Sequence, residues 1–127
     1  IIDSQSLHGH VVMLDFWSSW CAPCRAEAPT LSKVYKHCST EPVQFVGVSI
    51  WDIESDVKNF HEQFDISYPV SIDQNGKLAV EYGIKGIPEK LFIDQEGNLV
   101  RKFVGPMDEL TLISIIDSLL TSEDIEK

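Results

Sequence analysis

A formal charge of −10 over 127 residues argues against nucleic acid as a ligand, because phosphate-dominated binding needs clustered Lys and Arg. At 43% hydrophobic the chain can bury one core as a single domain over 1–127, and three cysteines are too few for a disulfide-stapled scaffold. No run approaches the ~18 apolar residues of a membrane span, and the Ile1-Ile2-Asp3 opening without methionine reads as a processed or trimmed start, so any membrane attachment would run through an anchor before residue 1.

In chain order, residues 11–16 form an apolar strand interrupted by one carboxylate, Asp15. Trp20-Cys21-Ala22-Pro23-Cys24 follows, placing a dithiol where the strand gives way to a helix from Ala22 to about His37. Ala26, Leu31, Val34 and Tyr35 are the apolar residues available for burial in that helix, and Pro29 predicts a kink. Val43 to Ile50 reads as a core strand, Ile53 to Phe64 as a helix presenting Val57, Phe60, His61 and Phe64, and Tyr68 to Ile72 as a short strand ended by the turn Asp73-Gln74-Asn75-Gly76. After a short helix from Lys77 to Tyr82, the runs 90–94 and 99–104 flank Gln95-Glu96-Gly97-Asn98 as a β-hairpin. The closing helix, Met107 to Leu120, carries Leu112, Ile113, Ile116, Leu119 and Leu120 on one face, and a polar tail covers 121–127. Strands alternating with helices, then a hairpin and a helix, give an α/β fold: a mixed central sheet with helices on both faces.

Two cysteines separated by two residues can close a disulfide within one helical turn, and a helix N-terminus offers free N–H groups and partial positive charge to a thiolate. The helix end contributes up to about 2 kcal/mol, which brings a thiol from about 8.5 toward neutrality. A larger shift needs a second donor, such as the Cys24 thiol or a backbone N–H aimed at the Cys21 sulfur. Cys21, at the exposed helix start, is therefore the expected nucleophile, and Cys24, one turn further in, the resolving thiol. Asp15, in its apolar strand, should have a pKa raised by desolvation.

A Cys-x-x-Cys is also half a zinc site. Cys38 lies about 21 Å along the helix from Cys24 at 1.5 Å per residue, too far to share one ion, and reads as a packed or idle thiol. His37 is too far along the helix for the same reason, and His8, His10 and His61 show no paired metal spacing. No cofactor is expected. The rival readings are a copper(I) metallochaperone using the dithiol and a non-catalytic binding domain.

The segments Val12 to Arg25, Gly86-Ile87-Pro88-Glu89 and Phe92 to Gly97 together resemble the thioredoxin superfamily, and more closely its TlpA/ResA/CcmG-like branch of extracytoplasmic thiol-disulfide oxidoreductases. The resemblance implies a thioredoxin-like fold with a helix-strand-helix insertion at about 54–82, before a cis Ile87–Pro88 bond that faces the dithiol and offers the Ile87 backbone to an extended client. It also implies that Asp15 accepts or returns the Cys24 proton; the competing reading is a strand-end acid satisfied by water. Asp52 and Glu89 become candidate second acids, with solvated or capping roles as the alternative for Asp52. Trp20 would belong to the client-facing surface and Trp17 to the core, while Arg25 would either add positive potential near the sulfurs or be a solvated helix residue. Lys90 departs from the Thr usual at its position. The implied activity is reduction of client protein disulfides in the periplasm or on the outer face of the cytoplasmic membrane, fed by an upstream dithiol reductant, with cytochrome c maturation and apocytochrome c as one setting and client.

Overall fold

The computed structural model describes residues 7–120, so the polar tail expected over 121–127 lies outside the described residues. Strand β1 (Val11–Trp17) occupies the centre of a five-stranded sheet of order β3-β2-β1-β4-β5. It pairs in parallel with β2 (Val43–Ser49), Val11 opposite Val43 through Trp17 opposite Ser49. On its other edge it pairs antiparallel with β4 (Glu89–Ile93), and there Asp15 stands opposite Lys90 and Phe16 opposite Glu89. β3 (Val70–Ile72) extends the parallel side and β5 (Leu99–Val104) the antiparallel side, which gives the mixed sheet that the element pattern predicts. The β4–β5 turn is held by the Asp94 carboxylate, which accepts from the N–H groups of Glu96 (3.0 Å) and Asn98 (2.9 Å), and by Gly97 at φ 89°.

Helix α1 (Ala22–His37) is capped by Cys21, carries Pro23 in its first turn, where no N–H is missed, and runs unbroken through Pro29. Its buried stripe is Cys24, Glu27, Ala28, Leu31 and Val34, with Ser32 beside it. Ala26, expected inside, is exposed, because the stripe is set by Cys24 and steps of three and four from there reach Glu27 and Ala28. α2 (Glu54–Gln63), β3, a 3₁₀ turn (Gln74–Gly76) and α3 (Lys77–Glu81) make up the segment between β2 and the cis Ile87–Pro88 bond, where the resemblance puts the helix-strand-helix insertion. α4 runs from Glu109 to Leu120, two residues later than the apolar pattern suggests, because the Asp108 carboxylate accepts from Thr111 N–H (2.8 Å) and so caps the helix. Ile115, outside the apolar face read from the sequence, is buried with Leu112 and Ile116, while Ile113, Leu119 and Leu120 are only partly buried.

Side chains alternate across the sheet and divide the core in two. On one face Met13, Trp17, Phe45 and Phe92 pack with Leu31 and Val34 of α1, Val57 and Phe60 of α2, and Leu112 and Ile116 of α4. On the other face Phe16, Val46, Val48, Ile50 and Leu91 pack with Ala79 of α3. Asp15, Gly47 and Lys90 fall on the first face by this alternation, together with the dithiol. At Gly47 an added Cβ would stand 3.0 Å from Trp17 Nε1, 3.3 Å from Val70 Cγ2 and 3.4 Å from Tyr68 Cε1. Gly47→Ala is therefore expected to destabilise the fold by about 1–3 kcal/mol through overpacking. Urea unfolding checks this, and a change within ~0.5 kcal/mol, as at ordinary surface sites, would contradict it.

Candidate active site

The loop from β1 into α1 is fastened before it reaches the cysteines. Ser18 donates its hydroxyl to the Ile50 carbonyl, and Cys21 N–H bonds back to Ser18 O at 3.2 Å. Asp52, just beyond β2, accepts from Ser19 N–H (2.6 Å), the Ser19 hydroxyl (2.7 Å), the Ser49 hydroxyl (2.8 Å) and Ile53 N–H (3.0 Å). Partial burial raises the Asp52 pKa, but the Ser19, Ser49 and Ile53 donors outweigh it and hold the carboxyl below its usual range. This environment makes Asp52 an anionic clamp between two strand ends and does not suit the second-acid role expected of it. The neighbouring Trp51 sits at φ 52°, a left-handed conformation uncommon for a bulky residue, and its carbonyl accepts from Trp20 Nε1 at 2.8 Å. Two exposed indoles, Trp20 at 58% and Trp51 at 60%, are thereby joined beside the cysteines.

Cys21 and Cys24 form a disulfide with Cα atoms 5.2 Å apart. The Cys24 N–H donates to Cys21 Sγ at 3.3 Å, the kind of backbone donor that a thiolate at this position would need. The sequence predicts Cys21 at an exposed helix start, yet both cysteines are 5% exposed. In the disulfide the Cys21 sulfur turns back over the first turn of α1, and the exposed residues at the junction are Trp20, Ala22 and Pro23. Arg25 is half-buried: its guanidinium lies 5.0 Å from the Phe64 ring centre and 5.5 Å from that of Phe60, and Nη1 donates to Ser19 O at 3.1 Å. Trp17 packs in the core against Phe60, ring centres 4.7 Å apart.

Beneath the disulfide lies a charged cluster that sequence reasoning missed. Lys90, 0% exposed, donates from Nζ to both carboxylate oxygens of Glu27 and to Gly105 O at 3.3 Å. Glu27 also accepts from Met107 N–H at 2.6 Å. Asp15, 3% exposed, has its Oδ1 3.6 Å from Lys90 Nζ, too long for a hydrogen bond. Burial pushes the Asp15 pKa up to about 7, with the Lys90 charge opposing the rise and the Glu27 charge adding to it. A cavity of about 10 Å³ is lined by Asp15, Cys24, Trp17, Ala28, Phe60 and Tyr68, among others, so the carboxyl and the inner cysteine share one space. That volume is at the lower end of the roughly 10–15 Å³ one water requires. Burial, then the charges of Asp15 and Glu27, hold the Tyr68 phenol well above its usual pKa. In the sequence Glu27 and Lys90 are legible only as two charged residues on otherwise apolar stripes.

Glu89, the other candidate second acid, lies across the sheet from this cluster. Alternation turns it away from Lys90, and its carboxylate pairs with Lys102 (2.9 Å) and accepts from Lys85 N–H (3.3 Å). The cis Ile87–Pro88 bond directly precedes β4, and the antiparallel register carries Pro88 to the level of Trp17, at the sheet edge from which the Cys21 loop departs. Ile87 is half-buried and packed against both core clusters. Cys38 is a buried free thiol whose pKa is raised by burial and by Glu41 and Asp117. Among the described residues no group of three or more His, Cys, Asp or Glu is placed to hold a metal ion, and no helix is long and apolar enough to cross a membrane.

The charged cluster makes two outcomes measurable. Lys90→Met strands two buried carboxylates and should cost about 3–5 kcal/mol, whereas Lys90→Met with Glu27→Gln removes both members of the pair and should cost clearly less; equal losses in urea unfolding would contradict the ion-pair account. The folded Asp15 pKa of about 7 lies above the ordinary 3.8, so the folded chain holds this proton more tightly than the unfolded chain. The resulting stabilisation is present at acid pH and lost as pH rises from about 4 through 7. Unfolding free energy should fall over that window by a few kcal/mol, and Asp15→Asn should flatten the fall; an undiminished slope in the variant would refute the assignment.

The chain matches the Redoxin family model over residues 2–120. It is 34% identical over 104 residues to a thiol-disulfide oxidoreductase ResA of Bacillus cereus, an alignment covering 82% of this chain and 60% of that protein. The chain thus spans about 60% of the length of the curated relatives it matches. Among solved structures it superposes on a thiol:disulfide interchange protein of the thioredoxin family from Chlorobium tepidum TLS with a TM-score of 0.86 and 31% identity, covering 94% of this chain and 86% of that one. The exposed lipoprotein thioredoxin Etrx1 of Streptococcus pneumoniae strain TIGR4 gives a TM-score of 0.80 and 31% identity, covering 91% and 89%. The chain therefore belongs to the Redoxin family, on the TlpA/ResA/CcmG-like branch of the thioredoxin superfamily.

Proposed function

We propose that this protein is a thiol-disulfide oxidoreductase that reduces disulfides in client proteins. The observation that carries this reading is the Cys21–Cys24 disulfide at the N-terminus of α1, with a backbone N–H on Cys21 Sγ and the Asp15 carboxyl in the cavity that Cys24 also lines. In the reduced protein the Cys21 thiolate attacks one sulfur of the client disulfide; the other client sulfur leaves as a thiolate and takes a proton from solvent. Cys21 is then joined to the client. Cys24 gives its proton to Asp15 and attacks Cys21 Sγ; the Cys21–Cys24 bond forms and the second client sulfur leaves. Two electrons have passed to the client, and an upstream dithiol returns them.

Client binding falls to Trp20 at the exposed junction and to Ile87 and Pro88, where an extended client segment pairs with the Ile87 backbone in strand fashion. The relative named an exposed lipoprotein supports an extracytoplasmic setting, and apocytochrome c is one client consistent with the branch. Insulin disulfide reduction tests the activity: Cys21→Ser should abolish it, and Cys24→Ser should accumulate a mixed disulfide on Cys21. Wild-type turnover by Cys21→Ser would overturn the proposal. Asp15→Asn should slow resolution of the mixed disulfide more than its formation, read in single-turnover thiol trapping.

A further inference from the structure

The proposed cycle uses Cys21, Cys24 and Asp15 and leaves a buried ammonium and a second buried carboxylate, Lys90 and Glu27, without a task. With all three charged groups ionised the cluster carries one net negative charge among buried side chains; one proton neutralises it. Which carboxylate receives that proton is decided by donors. Lysine has three N–H donors, and Lys90 directs them at the two Glu27 oxygens and at Gly105 O. Glu27 receives a further hydrogen bond from Met107 N–H. Asp15 is left with only a long approach from the same ammonium, 3.6 Å from its Oδ1, and that buried oxygen has no hydrogen-bond partner at normal distance among the described residues.

We propose that Lys90 is a positioning residue which, by saturating Glu27, leaves the exchangeable proton of the cluster to Asp15 and so sets the pH at which Asp15 accepts the Cys24 proton. The inference rests on the oxidoreductase reading for its role in turnover, but the placement of the proton stands on geometry alone. The titratable groups facing Asp15 are Lys90 from β4, Glu27 and Cys24 from α1, and Tyr68 from the segment before β3. Of these only Lys90 and Glu27 act as a fixed charge pair. Their register explains the asymmetry: Lys90 stands directly opposite Asp15 in the β1–β4 ladder, yet its ammonium reaches past Asp15 to the α1 carboxylate.

The test is an NMR titration of the Asp15 side-chain carboxyl in the full, oxidised chain, with wild type, Glu27→Gln and Lys90→Met compared. Glu27→Gln removes a neighbouring anion and frees an ammonium donor, so the Asp15 midpoint should fall by about one pH unit or more. Lys90→Met should raise it. An Asp15 midpoint that stays put in Glu27→Gln, or a neutral-range titration that belongs to Glu27 in wild type, overturns the proposal. Should Lys90→Met fail to fold by circular dichroism, Glu27→Gln decides alone. Insulin reduction by the wild type is measured beside the titration: its absence would remove the oxidoreductase reading, while the carboxyl titration still decides where the proton resides. With activity present, the pH midpoint of mixed-disulfide resolution should move with that of Asp15 in each variant, which a purely structural role for Lys90 and Glu27 would not produce.

Discussion

Removing an ammonium ion from water costs several kcal/mol even after the protein relaxes around it, and that cost is offset only where geometry and hydrogen bonds are complete. Lys90 meets the condition with the Glu27 carboxylate and the Gly105 carbonyl. The arrangement draws on three elements at once. β4 supplies the cation, α1 supplies the anion one turn past Cys24, and the chain between β5 and α4 supplies Gly105 O and Met107 N–H. A shift of one residue in the β1–β4 register would turn Lys90 to the face where Glu89 pairs with Lys102. The dithiol helix is thus locked to the sheet by the same charges that surround Asp15.

A second fastening acts at the surface. Asp52 gathers donors from Ser19 and Ser49, so the ends of β1 and β2 are tied where the chain turns toward Cys21. Trp51 adopts its left-handed conformation beside that clamp, and Trp20 bonds to its carbonyl. Backbone in such a region costs about 1–3 kcal/mol and persists where the surroundings over-determine it; four hydrogen bonds to the adjacent Asp52 supply that constraint. The loop before Cys21 is therefore held from the side by one carboxylate, and the helix after it is tied to the sheet by the buried ions.

Much of this is legible in the residues. The apolar run ending at Trp17, the Cys-x-x-Cys after it and Gly97 in the hairpin turn place the sheet and the dithiol, and a lone carboxylate in β1 announces its raised pKa. Glu27 and Lys90 escape such a reading, because they lie far apart in the chain and meet only when β4 pairs with β1 under α1. Reading α1 by its apolar residues favours Ala26; counting from Cys24 would put Glu27 on the buried stripe. Asp52 and Glu89 are recognisable as acids near the site, but the sequence does not record that one is ringed by hydroxyl and N–H donors or that the other faces Lys102 across the sheet.

What the buried charges accomplish can be put in magnitudes. A thiol near 8.5 and an ordinary aspartic acid near 3.9 differ by about 4.6 units, so moving a proton from one to the other costs about 6 kcal/mol. With Asp15 at about 7 the gap narrows to about 1.5 units, or about 2 kcal/mol. Burial alone raises a carboxyl without limit to its purpose, since an acid that never ionises cannot accept a proton. A nearby cation lowers it again. At 3.6 Å, with its donors directed at Glu27 and Gly105, Lys90 tempers the desolvation without cancelling it, and the proton transfer that the proposed cycle asks of Asp15 meets a smaller gap than it would at an ordinary aspartate.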